Sequence, residues 1–521
     1  MCFQVQEYEE GISDVLSYAR RLVNSFHATI RGPPEILVMV CSYLVSEDSD
    51  LFSASQVCHH WRGVLISSPS LWTRFPCRHV PRTIISLERC KSMPIQLKVD
   101  RRSSSVALEK VLLRGAKIAS LTVRRETGRT PSLHTLCLSP LPSVERLHIH
   151  SDMIGEERKV VGIWWNFPLL RELFASNFSV PIGQLTTPNL IHLALEIGGD
   201  DRRVALRSIL KALRGCPLLE TILIAHPHAL EVERAPDLPP VYLPTLRSIE
   251  LGANEVRSGL ITHLHFPPSV AVGFRSLGGQ EVFKIPPTVM ASLQHVLVRI
   301  DVHTVALAAG TLSRGDARSL IRFEGVNGSL EITFLRGGSV VEMFLGDNSI
   351  LLSFAPRLGT VKELQIATIP IKHRLLGRLA TVMPNLTSIC SFYCGYVDQC
   401  SAFEFMLPST YDSLPPFPRL ERLMVLDPGP GLMDMDRTRK ECGVPLQLVV
   451  IGPEHRLYTS GQIMELREFA GDVRIEVPSD LLEWSLENRV LRTWSGTGIP
   501  GPVSPMRKPT STRLTLFHRK L

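Results

Sequence analysis

No stretch of the sequence is long and apolar enough to cross a bilayer as a helix. The longest apolar run, residues 36–45, is interrupted by Ser42 and falls well short of the roughly 20 residues a spanning helix needs. The first residues, MCFQVQEYEEGISDV, lack the basic segment and apolar core of a secretory signal, so none is expected. Cytoplasm or nucleus is the expected compartment. A disulfide framework is missing too. The 11 cysteines are odd in number and scattered from Cys2 to Cys442, as expected of small buried hydrophobes in a reducing compartment. No Gly-rich phosphate loop, no Gly-x-Ser-x-Gly elbow and no His-Glu-x-x-His pair occurs, which removes the local signatures of nucleotide, serine-hydrolase and zinc-peptidase chemistry. Cys390, Cys394 and Cys400, with His373 nearby, are too widely spaced for the close cysteine pairs zinc prefers. Neither metal nor cofactor is expected.

Acidic residues are absent from residues 491–521, which carry Arg492, Arg507, Lys508, Arg513, Arg519 and Lys520. That segment therefore supplies +6 of the formal net charge of +7, leaving 51 basic and 50 acidic groups in residues 1–490. A nucleic-acid-binding domain concentrates basic residues on a folded face. Here the excess sits on a segment rich in Pro, Ser, Thr and Gly, expected to be a disordered tail, and no nucleic-acid partner is expected from the folded part.

Large apolar groups crowd into residues 32–75, GPPEILVMVCSYLVSEDSDLFSASQVCHHWRGVLISSPSLWTRF. Pro34 suits a first helical turn, where its missing N–H costs nothing. Ile36, Leu37, Val40, Cys41 and Leu44 then recur at helical spacing. Asp50 is positioned to cap a second helix, and Val57, Trp61, Val64 and Leu65 form a third stripe closed by Pro69. A helical unit of this size cannot bury so many large side chains alone. Either the rest of the chain or another protein must cover part of it.

PPEIL, DLFSASQVCHHWR and SPSLW, in that order and spacing, resemble the F-box. Gly32 stands where that family usually has Leu. The resemblance implies docking onto the Skp-type adaptor of a cullin–RING ubiquitin ligase. It implies that Pro34, Ile36, Leu37, Leu44, Leu51, Val57, Cys58, Trp61, Leu71 and Trp72 form or support the docking surface. LERCKSMPIQLKV, from Leu87, resembles the helix-then-strand phrase that follows the F-box in large families of mushroom-forming fungi.

Beyond residue 76 one phrase recurs. PSLHTLCL begins at Pro131, PSVERLHI at Pro142, PLLRELFA at Pro168, PNLIHLAL at Pro188, PLLETILI at Pro217 and PTLRSIEL at Pro244. TVKELQIA, PNLTSICS and PRLERLMV follow at Thr360, Pro384 and Pro418. Copies from Pro142 to Pro244 lie 20–29 residues apart. Each ends in the alternation of a short strand. Helical stretches intervene, clearest where Val204, Leu206, Ile209, Leu210 and Leu213 share a face. A strand and a helix at this period form the leucine-rich-repeat signature, irregular here and least clear over residues 270–355. Unrelated strands of an ordinary α/β domain are the plain alternative.

The expected architecture is α/β. It comprises an N-terminal helical extension (1–31), a three-helix F-box (32–75), a leucine-rich-repeat-like solenoid of short parallel strands and helices (76–490) and the basic tail (491–521). The expected function is a non-catalytic substrate-recognition subunit of an SCF-type ubiquitin ligase. The adaptor, and through it a cullin, are the expected partners, with an unknown protein substrate and no membrane. Two alternatives stay open: a scaffold acting outside any ligase, and a nucleic-acid-associated protein using the tail. Alternation along the strands picks Arg146, His148, His150, Arg247, Glu250 and Glu421 as candidates to touch the substrate.

Overall fold

The computed structural model describes residues 15–18, 33–44, 48–115, 117–125, 141–151, 167–176, 185, 187–196, 205–225, 238–275, 287–311, 317–335, 350–367, 379–391, 415–425, 431–451 and 459–475. The Pro131 copy of the phrase, the 491–521 tail, His373, Cys394 and Cys400 lie outside them, as does all of the 1–31 extension except residues 15–18, which are helical. None of the described helices is long and apolar enough to cross a membrane. The chain forms two compact units, residues 1–307 with 319–362, and residues 308–318 with 363–521.

The first unit opens with helices Pro34–Leu44, Asp48–Ala54 and His59–Ser67 and a 3-10 turn Pro69–Trp72. The second helix starts at Asp48, so Asp50 lies inside it and does not cap it. Pro69 does more than stop the third helix. It starts the 3-10 turn that carries Leu71 and Trp72 inward.

A ladder of parallel strands follows. β1 (Arg74–Pro76) pairs with β2 (Ile95–Val99), and β2 with β3 (Ile118–Arg125). Pairing continues through β4 (Arg146–Ser151), β5 (Glu172–Ser176), β6 (His192–Glu196) and β7 (Thr221–Ala225). β8 (Val241–Tyr242) leaves the ladder to pair with β10 (Leu264–His265). β7 pairs instead with β9 (Ser248–Gly252), which pairs with β11 (Ala271–Arg275). The unit boundary falls within β12 (Val302–Thr311) and β13 (Ala317–Gly325). β14 (Gly328–Leu335) pairs in parallel with β11. The second unit stacks β15 (Glu363–Ala367), β16 (Ser388–Ser391), β17 (Arg422–Val425), β18 (Leu448–Ile451) and β19 (Asp472–Ile475), again all parallel.

The recurring phrase has a local cause. In the described copies that open on Pro, the Pro is the second residue of a β-turn, where its fixed φ is favoured. The turns close through Leu170 N–H to Phe167 O (3.1 Å), Leu190 to Thr187 (3.0 Å), Leu246 to Leu243 (3.3 Å) and Leu420 to Phe417 (3.0 Å). The chain then runs straight into the strand. Three apolar positions of a phrase are buried, as in Leu190, Leu193 and Leu195, or Leu219, Ile222 and Ile224. Just before several of the strands, one carbonyl accepts two N–H groups from the next copy. Glu145 O takes Arg171 and Glu172 (2.7 and 3.0 Å), Glu220 O takes Arg247 and Ser248 (2.8 and 3.1 Å), and Glu421 O takes Gln447 and Leu448 (2.8 and 3.1 Å). The same device occurs in both units. Polar side chains after the proline add a second stitch, with Asn189 donating to Pro168 O (2.8 Å) and Thr245 to Leu219 O (2.9 Å).

Residues 270–355 differ in kind. β12, β13 and β14 are ten, nine and eight residues long, against five for most neighbours. LEITF forms part of β14, while the VEMFLG stretch lies outside the described residues.

Candidate functional site

Two surfaces concentrate the candidate residues: the N-terminal helices and the polar face of the first unit's sheet.

In the helices, one side is the unit's own core. Leu37, Cys41, Leu51, Leu65, Leu71 and Trp72 are buried. Trp72 Nε1–H donates to Leu65 O at 2.7 Å. Its ring meets Phe52 edge-on at 5.1 Å, and the Arg89 guanidinium stacks 4.2 Å above it. Burial, then the nearby Arg62, lowers the pKa of Arg89, while Glu88 opposes them. Arg82 sits 5.4 Å from the Phe52 ring. Both arginines lie on or beside helix Val80–Arg89, so that helix clamps the N-terminal helices onto the start of the sheet. The helix-then-strand phrase read at Leu87 ends this helix and runs into β2. Cys58 caps the third helix by accepting Trp61 N–H at 3.4 Å. Trp61 is half-buried, and its enclosed Nε1 has no hydrogen-bond partner among the described residues.

The other side of the first helix is open. Ile36, Met39, Val40 and Tyr43 are 49%, 53%, 49% and 79% exposed, and Val57 is 52% exposed. Spacings of three and four residues put the first four on one stripe. The stripe read as a single apolar face is therefore split: Leu37 and Cys41 point inward, Ile36 and Val40 outward. Pro34 is exposed and Leu44 ends the helix. Met39 and Tyr43 belong to the open stripe although the motif positions alone do not pick them; their offset from Ile36 is the signal for them.

On the sheet, Arg146, His148 and His150 alternate with the buried Leu147 and Ile149 on β4. Glu250 shares their face on β9. The register aligns His148, Phe174, Ala194, Leu223 and Glu250 in one row across β4 to β9. Arg247 is not in any strand row. It occupies the residue before β9, 3.5 Å from Glu220. Glu421 occupies the same place before β17, in the second unit, where Arg422 is the residue equivalent to Arg146. The His148 ring lies 5.9 Å from Phe174. Burial lowers its pKa, with Glu172 opposing and Arg146 assisting. Further along, Arg275 donates to Glu250 (2.6 Å) and lies 3.8 Å from Glu196, which accepts the Ser176 hydroxyl at 3.2 Å. Phe174, Glu196 and Arg275 were missed because sequence alternation does not reveal which strands are neighbours.

No curated protein matches the chain. Residues 33–78 match the family model described as F-box-like, so an F-box-like domain forms the N-terminal part of this mixed α/β chain.

Proposed function

We propose that the chain is a non-catalytic receptor subunit of an SCF-type ubiquitin ligase, acting in the cytoplasm or nucleus. F-box domains generally bind Skp-type adaptors. The observation that carries the reading is the open apolar stripe of Ile36, Met39, Val40 and Tyr43 inside the F-box-like match. An exposed apolar stripe on a helix is costly to leave in water and is the expected form of a helix-mediated protein interface. The parallel strands, one per phrase, support a leucine-rich-repeat-like solenoid as the substrate-binding part. Such an array offers a broad face of alternating side chains. Ubiquitin transfer is then a matter of proximity: the repeats hold the protein to be marked and the adaptor brings the rest of the ligase.

The test is a double substitution, Ile36→Asp with Val40→Asp. Both side chains are exposed, so folding should be unaffected by circular dichroism. Co-purification with the adaptor and the cullin should fall to background. A folded double variant that still brings down both at wild-type yield refutes the reading. Leu37→Ala is the contrasting change. It opens a cavity in the buried side and should cost about 2–5 kcal/mol of stability without altering the open stripe.

A further inference from the structure

The polar face of the first unit's sheet is divided by charge. On β2, β3 and β4 the residues opposite the buried rows include Lys98, Arg124 and Arg146, and no carboxylate. From β5 onward the same face carries Glu172, Glu196, Glu250 and Glu331, with Arg275 as the single cation on β5, β6, β7, β9 and β11. Arg275 is itself held by two of those carboxylates. Along the row that runs from Lys98 on β2 to Glu250 on β9 lies a half-buried apolar strip, Phe174, Ala194 and Leu223 on β5, β6 and β7, extended on the basic side by the His148 ring.

We propose that this face binds an extended protein segment whose own charges are segregated, acidic residues over β2–β4 and basic residues over β5–β14, with an apolar side chain seated on Phe174, Ala194 and Leu223. The proposal rests on the receptor reading and names the chemistry of what is received. Charge complementarity is the argument. A segment of mixed or single sign would set like charges against one of the two fields, which disfavours the wrong partner more than it strengthens the right one. Strands about 4.8 Å apart make the span from β2 to β14 about 38 Å, the length of about twelve extended residues.

The probes are two fluorescein-labelled peptides of about twelve residues and identical composition. One has a block of Asp, a Leu-Val centre and a block of Lys; the other has Asp and Lys alternating around the same centre. Fluorescence anisotropy with the full chain should show the segregated peptide binding about tenfold tighter at low salt, an advantage that shrinks at high salt. The variant Lys98→Glu with Arg146→Glu should abolish it. Equal affinities, no measurable binding of either peptide, or an advantage untouched by the charge reversal would each overturn the proposal. A labelled single-stranded oligonucleotide that binds tighter than the peptide, and loses that binding in the same variant, would also overturn it in favour of nucleic acid. Adaptor and cullin are assayed in the same preparation. Adaptor retained without peptide preference defeats the charge reading alone, whereas adaptor lost defeats the ligase reading and leaves the peptide result to stand by itself.

Discussion

Asp100 and Asp436 are both buried carboxylates, and their surroundings push them in opposite directions. Burial pushes the Asp100 pKa up, but the Arg78 hydrogen bonds and charge, the Arg102 N–H and the Ser103 hydroxyl outweigh it, and the net shift is downward. Arg78 holds one carboxylate oxygen at 2.6 and 3.2 Å, and Arg102 N–H the other at 2.9 Å. This carboxylate ties the residues before helix Val80–Arg89 to the end of β2. Its contribution is full above the unfolded-state pKa and is lost as pH falls through the lower folded value. Asp100→Ala should cost about 2–4 kcal/mol at neutral pH, and the deficit should narrow only when urea midpoints are measured below about pH 4. Asp436 is the reverse case. Burial raises its pKa to about 6 against the pull of the Leu446 N–H, Arg439 and Lys440. Its neighbour Arg439 is fully buried and donates to Pro416 O, Phe417 O and Leu420 O, each at 3.1 Å. A raised acid favours the fold fully below the unfolded-state pKa of about 3.9, and that advantage disappears as pH rises through about 6. Asp436→Asn should therefore make the chain less sensitive to pH between about 4 and 7. An unaltered pH profile of the denaturation midpoint would contradict this placement of the charge.

At the scale of elements, the F-box-like helices are anchored by one side chain above others. Trp72 fills the space between Leu65, Phe52 and Arg89 with both a hydrogen bond and a cation stack. Trp72→Ala should cost about 3–5 kcal/mol and free Arg89, loosening the helices from the sheet. Limited proteolysis between residues 72 and 80 would then accelerate. Much of this region is legible in the sequence, because Leu65 follows from apolar periodicity, Pro69 from its own ring, and Leu71 and Trp72 from the SPSLW phrase that resembles the F-box. The split of the first helix is not legible. Ile36 and Leu37 are adjacent and equally apolar, and only the packing of the neighbouring helices decides which turns inward. The repeat phrase is readable where its apolar residues keep their fixed spacing, with proline at the turn or, before β15, with Gly359 in its place. β18 has the same spacing of Leu446, Val449 and Ile451, but the turn position belongs to Val444. In β11, Val270, Val272 and Phe274 lack one residue between the first two apolar positions. β2 has the same gap between Ile95 and Leu97, and there the pairing with β3 shifts by one residue between Ile95 and Gln96. A pattern with fixed offsets misses such strands, although the fold absorbs the missing residue as a local irregularity.

Across the whole molecule, stability should travel along the ladder from strand to strand. Among the described residues β16 pairs with β15 and β17, and β17 with β16 and β18, all in parallel. Apolar side chains meet in register across those pairs, as Ile389, Leu423 and Val449 do. In an array of this kind the energy is close to a sum of repeat terms and nearest-neighbour terms. A charge placed at Leu423, which is buried, would lose most of its solvation and cannot be accommodated without opening the stack. Leu423→Asp should therefore raise amide exchange in β17 first, then in β16 and β18, whose hydrogen bonds and apolar partners it removes. Strands β3 to β6 share no pairing with β17, so their exchange should stay near wild type. Hydrogen exchange read by mass spectrometry separates the outcomes. A uniform rise across both units would mean that the array unfolds as one cooperative block, and that the chain is not held together by nearest-neighbour terms.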